Sequence, residues 1–238
     1  MNYFYITGTS RGIGKATAKE LLRDDNNFVI GISRHNSIKH KNYKHISLDL
    51  GNLEEVKAFQ FNHFEEAQKV VLFNNAGILG EVTPVGNLDN ENIIRSHNIN
   101  LISPAILMNN FLAFYKESEV EKIIINTSSG AARHTIPSWS NYCSTKGGLE
   151  MFARVIADEQ QDVKTNPVKV FSVAPGVVDT EMQDEIREVE PENFRELERF
   201  VHLKQNNQLT KPEDVGKQYA DIMLQPEKYP EMLMDLRE

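Results

Sequence analysis

One cysteine, Cys143, stands among 238 residues. A lone thiol excludes an internal disulfide and any zinc site built on several cysteines, and it suits a reducing compartment such as the cytoplasm. An excess of positive charge is also missing. The formal net charge is −8, which argues against DNA or RNA as a partner, because a phosphate backbone needs a basic face. No apolar run approaches the roughly 18 residues that a membrane span requires. Residues Met1 to Ile6 lack a basic stretch leading into an apolar one with a cleavage site, so no signal peptide is expected. Gly/Ser-rich linkers, internal repeats and low-complexity segments are absent too. At this length two small domains are conceivable, but the unbroken patterning favours a single domain over 1–238.

What is present is ordinary for a globular protein: 40% hydrophobic and 25% charged residues. Short apolar runs rich in Val, Ile and Phe fall at Tyr3–Thr7, Phe28–Ser33, His45–Leu48, Val70–Phe73, Lys122–Thr127 and Val168–Val173. They lack strict alternation, as strands buried on both faces do. Helical patterns lie between them at Gly14–Arg23, Leu53–Glu66, Asn90–Tyr115 and Tyr142–Gln161. The last of these places Leu149, Phe152, Val155 and Ile156 near one face, with Phe152 read as core. Strand–helix alternation of this kind predicts an α/β, Rossmann-type doubly wound parallel sheet with helices on both faces. Segment 178–207 breaks the rhythm: it is strongly charged, interrupted by Pro191, and open to reading as either a solvated helical excursion or a lid over a site. A final helix is expected from Pro212, with Thr210 as its cap.

The first apolar run leads straight into Thr7-Gly8-Thr9-Ser10-Arg11-Gly12-Ile13-Gly14. Glycines there let the backbone approach a pyrophosphate, and the helix that follows offers free N–H groups. The same glycines would also serve a plain strand-to-helix turn; the context favours the nucleotide. The second run ends in Ser33-Arg34 with no acid nearby. An acid at that point bonds the ribose hydroxyls of NAD, whereas a cation suits the 2′-phosphate of NADP. Arg34 and Arg11 are therefore expected to converge on that phosphate, making NADPH/NADP+ the cofactor. Asp49 and Leu50 follow the third run, and Asn75, Ala76 and Gly77 the fourth, where ligands of open α/β sheets sit. Asp49 is placed to accept from the adenine amino group.

Tyr142 precedes Lys146 by one helical turn, and Ser129 stands thirteen positions before Tyr142. Reducing a ketone loads negative charge onto its oxygen, so an acid and a hydrogen-bond donor are needed there. Tyr142 fits the acid, Ser129 the donor, and Lys146 a cation that lowers the phenol pKa. His35, His40 and His45 are spaced as if for a metal, but they lie in a Lys-rich polar stretch and are read as facing solvent. Cys143 is read as packing.

These segments together resemble the short-chain dehydrogenase/reductase family, over Tyr3 to about Thr180: the glycine turn, Asn74–Gly77, Asn100-Leu101, Ser129, Tyr142, Lys146 and Pro175-Gly176. The chain is most similar to the sepiapterin-reductase-like branch, and there to bacterial benzil reductases that form (S)-benzoin. Tyr5–Gly12, Trp139–Lys146 and Ala174–Thr180 with Met182 carry that likeness. The resemblance implies that Lys146 also holds the nicotinamide ribose and that Asn100 anchors a water leading protons to Lys146. It implies that Pro175, Gly176, Val178 and Thr180 close over the nicotinamide. Trp139 and Met182, with Ser129 and Tyr142, would meet a small, largely apolar carbonyl substrate. Long helices 90–115 and 142–161 would pair two copies into a homodimer. The carboxyl terminus lacks the glycine-rich ending of many relatives, which leaves the last strand open. Two other functions remain: an NAD(P)-dependent alcohol dehydrogenase working oxidatively, and a dinucleotide sensor without turnover.

Overall fold

In a computed structural model, which describes residues 1–237, the chain forms one seven-stranded sheet. Its strands are β1 (Asn2–Thr7), β2 (Asn27–Ser33), β3 (Tyr43–Ser47), β4 (Lys69–Asn74), β5 (Glu121–Thr127), β6 (Lys169–Ala174) and β7 (Leu233–Asp235). The order is β3-β2-β1-β4-β5-β6-β7, and every pairing is parallel. This is the doubly wound Rossmann-type architecture the alternation predicts. The order reverses between β1 and β4, which opens a crevice at their carboxyl ends. Helices α1 (Gly12–Leu21), α2 (Leu53–Ala58), α3 (Asn90–His97), α4 (Ser103–Phe114), α5 (Ser140–Gln161), α6 (Glu181–Arg187), α7 (Leu197–Gln205) and α8 (Pro212–Leu224) complete it. One apolar core, around Tyr5, Leu72, Phe111 and Ile124, lies under one face. The other, around Phe4, Phe73, Val173 and Tyr219, lies under the opposite face.

Two buried lysines show how polar residues are accommodated at the strand entries. Lys69 Nζ donates to the Met223 and Leu224 carbonyls at 3.0 and 2.8 Å, closing the end of α8. Lys122 Nζ donates to Ser118 O at 2.8 Å, just past α4. A cation there satisfies carbonyls that a helix end leaves without partners.

The structure departs from the sequence pattern at several points. The helix expected over Leu53–Glu66 ends at Ala58. Beyond it the chain runs extended so that Phe61 packs edge-on against Tyr5 and Phe64 stacks on Tyr3. The Asn62 N–H donates to the Tyr5 hydroxyl at 2.9 Å. The stretch 90–115 is helical but is interrupted by a π-turn at Asn98–Ile102, two residues before Pro104. Proline has no N–H to continue the regular ladder, and the wider turn absorbs the loss. Thr210 is not the cap of α8: Lys211 holds that position, and the Thr210 backbone instead pairs with Val177 and Asp179. Phe152 is not core. It is 39% exposed, beside Met151 and Val155, while Leu149, Ala153 and Ile156 turn inward. The open question at the carboxyl terminus is answered by β7, which pairs with β6 without glycine-rich sequence.

Segment 178–207 folds into α6 and α7. Its two ends are joined by the Val178–Thr210 bridge. Charged residues cover its outer face, while Ile186, Phe194 and Phe200 are buried with Leu79, Ala131, Trp139 and Tyr142 in a third apolar cluster. The segment is therefore a packed roof with a solvated exterior.

Candidate active site

The glycine turn is shaped by what surrounds it. Gly8 and Gly12 have φ of +76° and +56°, the left-handed region that favours glycine. A Cβ on Gly14 would fall 2.4 Å from Asn75 Nδ2 and 2.5 Å from the Gly8 carbonyl oxygen. Gly14 thus serves the close approach of α1 to β1 and β4, and it does not line the cleft. Thr7 ties the two switch-point turns together, its Oγ1 accepting from the N–H groups of Asn75 and Ala76 at 2.9 and 3.0 Å.

Above these turns lies a cleft of about 600 Å³. Gly8, Ser10, Arg11, Gly12 and Ile13 line it from one turn, and Asn75, Ala76 and Gly77 from the other. Arg34, Asp49 and Leu50 border one end; Ser129, Trp139, Tyr142, Lys146 and Met182 close the other. Pro175, Gly176, Val178 and Thr180 run along its side. The turns after β1 and β4 and the Tyr142 corner, far apart in sequence, thus share one continuous cavity. The glycines leave room there for a dinucleotide's phosphates, and the uncapped amino-terminal end of α1 borders the same turn.

Arg11 and Arg34 both line the cleft. Arg11 forms ion pairs with Glu181 and, at 3.6 Å, with Glu185, because the acidic face of α6 stands beside it. Arg34 is exposed at the end of β2 and makes no ion pair among the described residues. Asp49 lines the cleft, with Oδ1 accepting from the Gly51 N–H at 2.8 Å. Of the three histidines, His45 is half-buried and its Nε2 lies 2.9 Å from the Ser33 carbonyl. Among the described residues no three His, Cys, Asp or Glu side chains gather as metal ligands.

At the far end, Ser129 leads into a short 3₁₀ turn, Gly130–Ala132, and its Oγ accepts from the Ala131 N–H at 3.2 Å. Tyr142 and Lys146 project from α5 one turn apart, with Lys146 Nζ 5.7 Å from the Tyr142 ring centre. Lys146 Nζ donates to Thr127 O at 2.7 Å. Burial pushes the Lys146 ammonium down to about 8. Burial likewise drives the Tyr142 phenol up to about 12, against a smaller downward pull from its hydrogen bond with Ser129. Enclosure thus disfavours tyrosinate more than the Ser129 hydrogen bond stabilises it. Asn100 sits behind this corner rather than in the cleft. Its Oδ1 accepts from Ile78 N at 2.9 Å and its Nδ2 donates to Ile78 O at 2.8 Å, which pins the β4 turn to the π-turn.

The roof supplies residues that the sequence pattern did not single out. Ile186 and Phe200 from the roof, with Ile136 from the loop before α5, line the apolar end beside Trp139. Trp139 meets Tyr142 edge-on at 5.6 Å and stacks on Phe194 at 5.4 Å. The only sequence signal was a scatter of apolar residues inside a charged stretch. On the side wall, Thr210 bonds Val177 O and Asp179 N. In a parallel bridge this leaves the N–H and C=O of Val178 pointing away from Thr210.

A parallel sheet with a glycine turn and a cleft at its switch point is the arrangement of dinucleotide-binding folds. The short chain dehydrogenase model matches residues 2–191, and the chain belongs to that family. It is 37% identical to the benzil reductase ((S)-benzoin forming) of Bacillus cereus, over 97% of each chain. It is 31% identical to the sepiapterin reductase of Xenopus tropicalis, over 74% of each. A crystal structure of a short-chain dehydrogenase/reductase from Saccharomyces cerevisiae superposes with a TM-score of 0.86 at 28% identity, covering 100% of this chain and 97% of that one.

Proposed function

We propose that the chain is an NADPH-dependent carbonyl reductase acting on an apolar ketone or vicinal diketone of the benzil type. The observation that carries this reading is the junction, in one cleft, of the Ser129–Tyr142–Lys146 corner with an apolar end formed by Trp139, Met182 and Phe200. The likeness to benzil reductases supports the substrate class. Arg34, exposed and in no ion pair among the described residues, supports a 2′-phosphate at the adenosine end. Gly8, Ser10, Gly12 and Ile13 would cradle the pyrophosphate, and Asp49 and Leu50 would border the adenine.

Bound NADPH supplies the hydride. Ser129 Oγ donates to the carbonyl oxygen of the substrate and fixes it beside Tyr142. The Tyr142 phenol, held neutral by burial, gives its proton to that oxygen as charge develops. Lys146 stabilises the tyrosinate left behind and returns a proton to it. Asn100 holds the Ile78 turn against α5 and so preserves the path to Lys146. Val178, through its backbone N–H and C=O, is placed to hold the carboxamide, with Pro175, Gly176 and Thr180 shaping the wall beside it. Segment 178–207 covers the substrate and excludes water.

The pairing expected of helices 90–115 and 142–161 is supported by exposed apolar side chains on them: Ile102, Phe114, Met151, Phe152 and Val155. A second copy of the chain would bury them, and the active form is proposed to be a homodimer. No helix among the described residues is long and apolar enough to cross a membrane, and a cytoplasmic enzyme is proposed.

The test is NADPH consumption with benzil and an aryl-alkyl vicinal diketone, alongside Tyr142→Phe. The reading expects turnover that Tyr142→Phe abolishes while NADPH binding persists. Activity surviving in that variant would refute Tyr142 as the acid.

A further inference from the structure

Glu150 lies on α5 one turn beyond Lys146 and is only 4% exposed. A carboxylate so enclosed persists only with full hydrogen bonding, and this one has it. Its Oε2 accepts from Ser128 Oγ at 2.9 Å and from Arg133 at 3.0 and 3.2 Å. Its Oε1 accepts from Arg133 Nε at 3.1 Å and from Arg154 at 3.0 Å. Burial alone would raise the acid; Arg133, Arg154 and Ser128 outweigh it and keep the group below the usual carboxylate range.

The partners matter more than the charge. Ser128 immediately precedes Ser129, and Arg133 immediately follows the 3₁₀ turn that Ser129 opens. Upstream, the Ser128 N–H is fixed to Val173 O at 2.8 Å. Downstream, the turn is held by its own short bonds, Arg133 and His134 N–H to Gly130 O, and by Glu150. Glu150 thus bonds both ends of the segment carrying Ser129 to the helix carrying Tyr142 and Lys146.

We propose that Glu150, through Ser128 and Arg133, is the positioning residue that sets the distance between Ser129 and Tyr142. This rests on the reading of Ser129 and Tyr142 given above. Arg154 serves as an internal control: it bonds the same carboxylate from within α5 and, among the described residues, makes no hydrogen bond or ion pair with the Ser129 segment. A merely structural ion-pair cluster would depend on both arginines alike; a clamp on Ser129 depends on Arg133.

Three variants, Glu150→Ala, Arg133→Met and Arg154→Met, separate these roles by diketone turnover, NADPH binding and deuterium exchange of the 128–134 amides. Glu150→Ala and Arg133→Met should lower kcat by about 10- to 100-fold with KM and NADPH affinity little changed, since a misplaced donor costs rate and not uniform binding. In both, the 128–134 amides should exchange faster. Glu150→Gln keeps an oxygen for Ser128 and should recover much of the rate. Arg154→Met should match the parent in rate and exchange. Arg133, partly exposed, carries the test if Glu150→Ala does not fold. Equal losses in Arg133→Met and Arg154→Met, or unchanged exchange in Glu150→Ala and Arg133→Met, would overturn the proposal. A parent protein that reduces no carbonyl would instead sink the functional reading, while the exchange measurement still judges the clamp.

Discussion

Lys146 is the residue at which stability and catalysis should pull in opposite directions. It is 3% exposed, and burial takes its ammonium from 10.5 down to about 8. At about 1.4 kcal/mol per tenfold change in proton affinity, that drop amounts to about 3 kcal/mol by which the folded chain disfavours the charge. Lys146→Met removes the charge at similar length. It also loses the bond to Thr127 O, worth about 1–2 kcal/mol for a charged donor. The ligand-free variant should therefore be more stable than its parent at pH 7 by about 1–2 kcal/mol, or about 2–8 °C in Tm for a domain of this size. The pH dependence has a definite sign. Below about 8 the lysine is charged in both folded and unfolded chains, and the full cost is present. Between about 8 and 10.5 the folded chain has released the proton and the unfolded chain has not, so parent stability rises with pH and the advantage of the variant shrinks. Thermal melts of both proteins from pH 7 to pH 9.5, below the range in which Tyr142 ionises, measure the difference directly. Turnover should fall by roughly 10²- to 10⁴-fold in the same variant. A Lys146→Met protein less stable than its parent, by an amount independent of pH, would refute burial as the control on Lys146.

Other sites give shorter tests. Arg34→Asp should shift preference from NADPH toward NADH, with the NADPH Kd rising about 10- to 100-fold for one lost charge-assisted contact; an unchanged ratio of the two Kd values would remove Arg34 from the phosphate site. Gly14→Ala forces a Cβ against the Gly8 carbonyl and should destabilise the chain by about 1–3 kcal/mol, read in urea melts as a lower midpoint. Phe152→Glu on the exposed stripe should turn a dimer into a monomer by light scattering, with melts of the monomeric fold little affected. A parent that is already monomeric would refute the pairing surface.

How much of this could be read from the chain depended on the kind of constraint at each residue. The sheet was legible because β1, β2, β4, β5 and β6 are buried on both faces and so appear as unbroken Val, Ile and Phe runs. The end of α2 was not. Phe59, Phe61 and Phe64 satisfy a helical spacing nearly as well as an extended one, and only the Tyr3 and Tyr5 rings of another strand decide between them. The same holds for α5, where two apolar stripes run side by side. Periodicity identifies a helix with an apolar side, but it does not say whether the core or a second molecule covers Phe152 and Val155.

At the site, Ser129, Tyr142 and Lys146 were visible because the chemistry fixes their residue types and the helix fixes one spacing. Glu150 obeys the same spacing from Lys146, yet it was passed over, since a glutamate on a helix ordinarily faces water. What distinguishes it is burial and Arg133, brought in from outside α5, neither of which has a local sequence mark; only Arg154 stands at a readable i,i+4 spacing. Arg11 shows the converse. Its place in the glycine turn predicts a phosphate, but the acidic start of α6, some 170 positions away, also reaches it. The pair is more than half exposed, so its net worth is at most about 1 kcal/mol. A doubly charged phosphate arriving at Arg34 would compete with Glu181 and Glu185 for Arg11 at little cost. An exposed pairing of this kind therefore leaves Arg11 available to a 2′-phosphate.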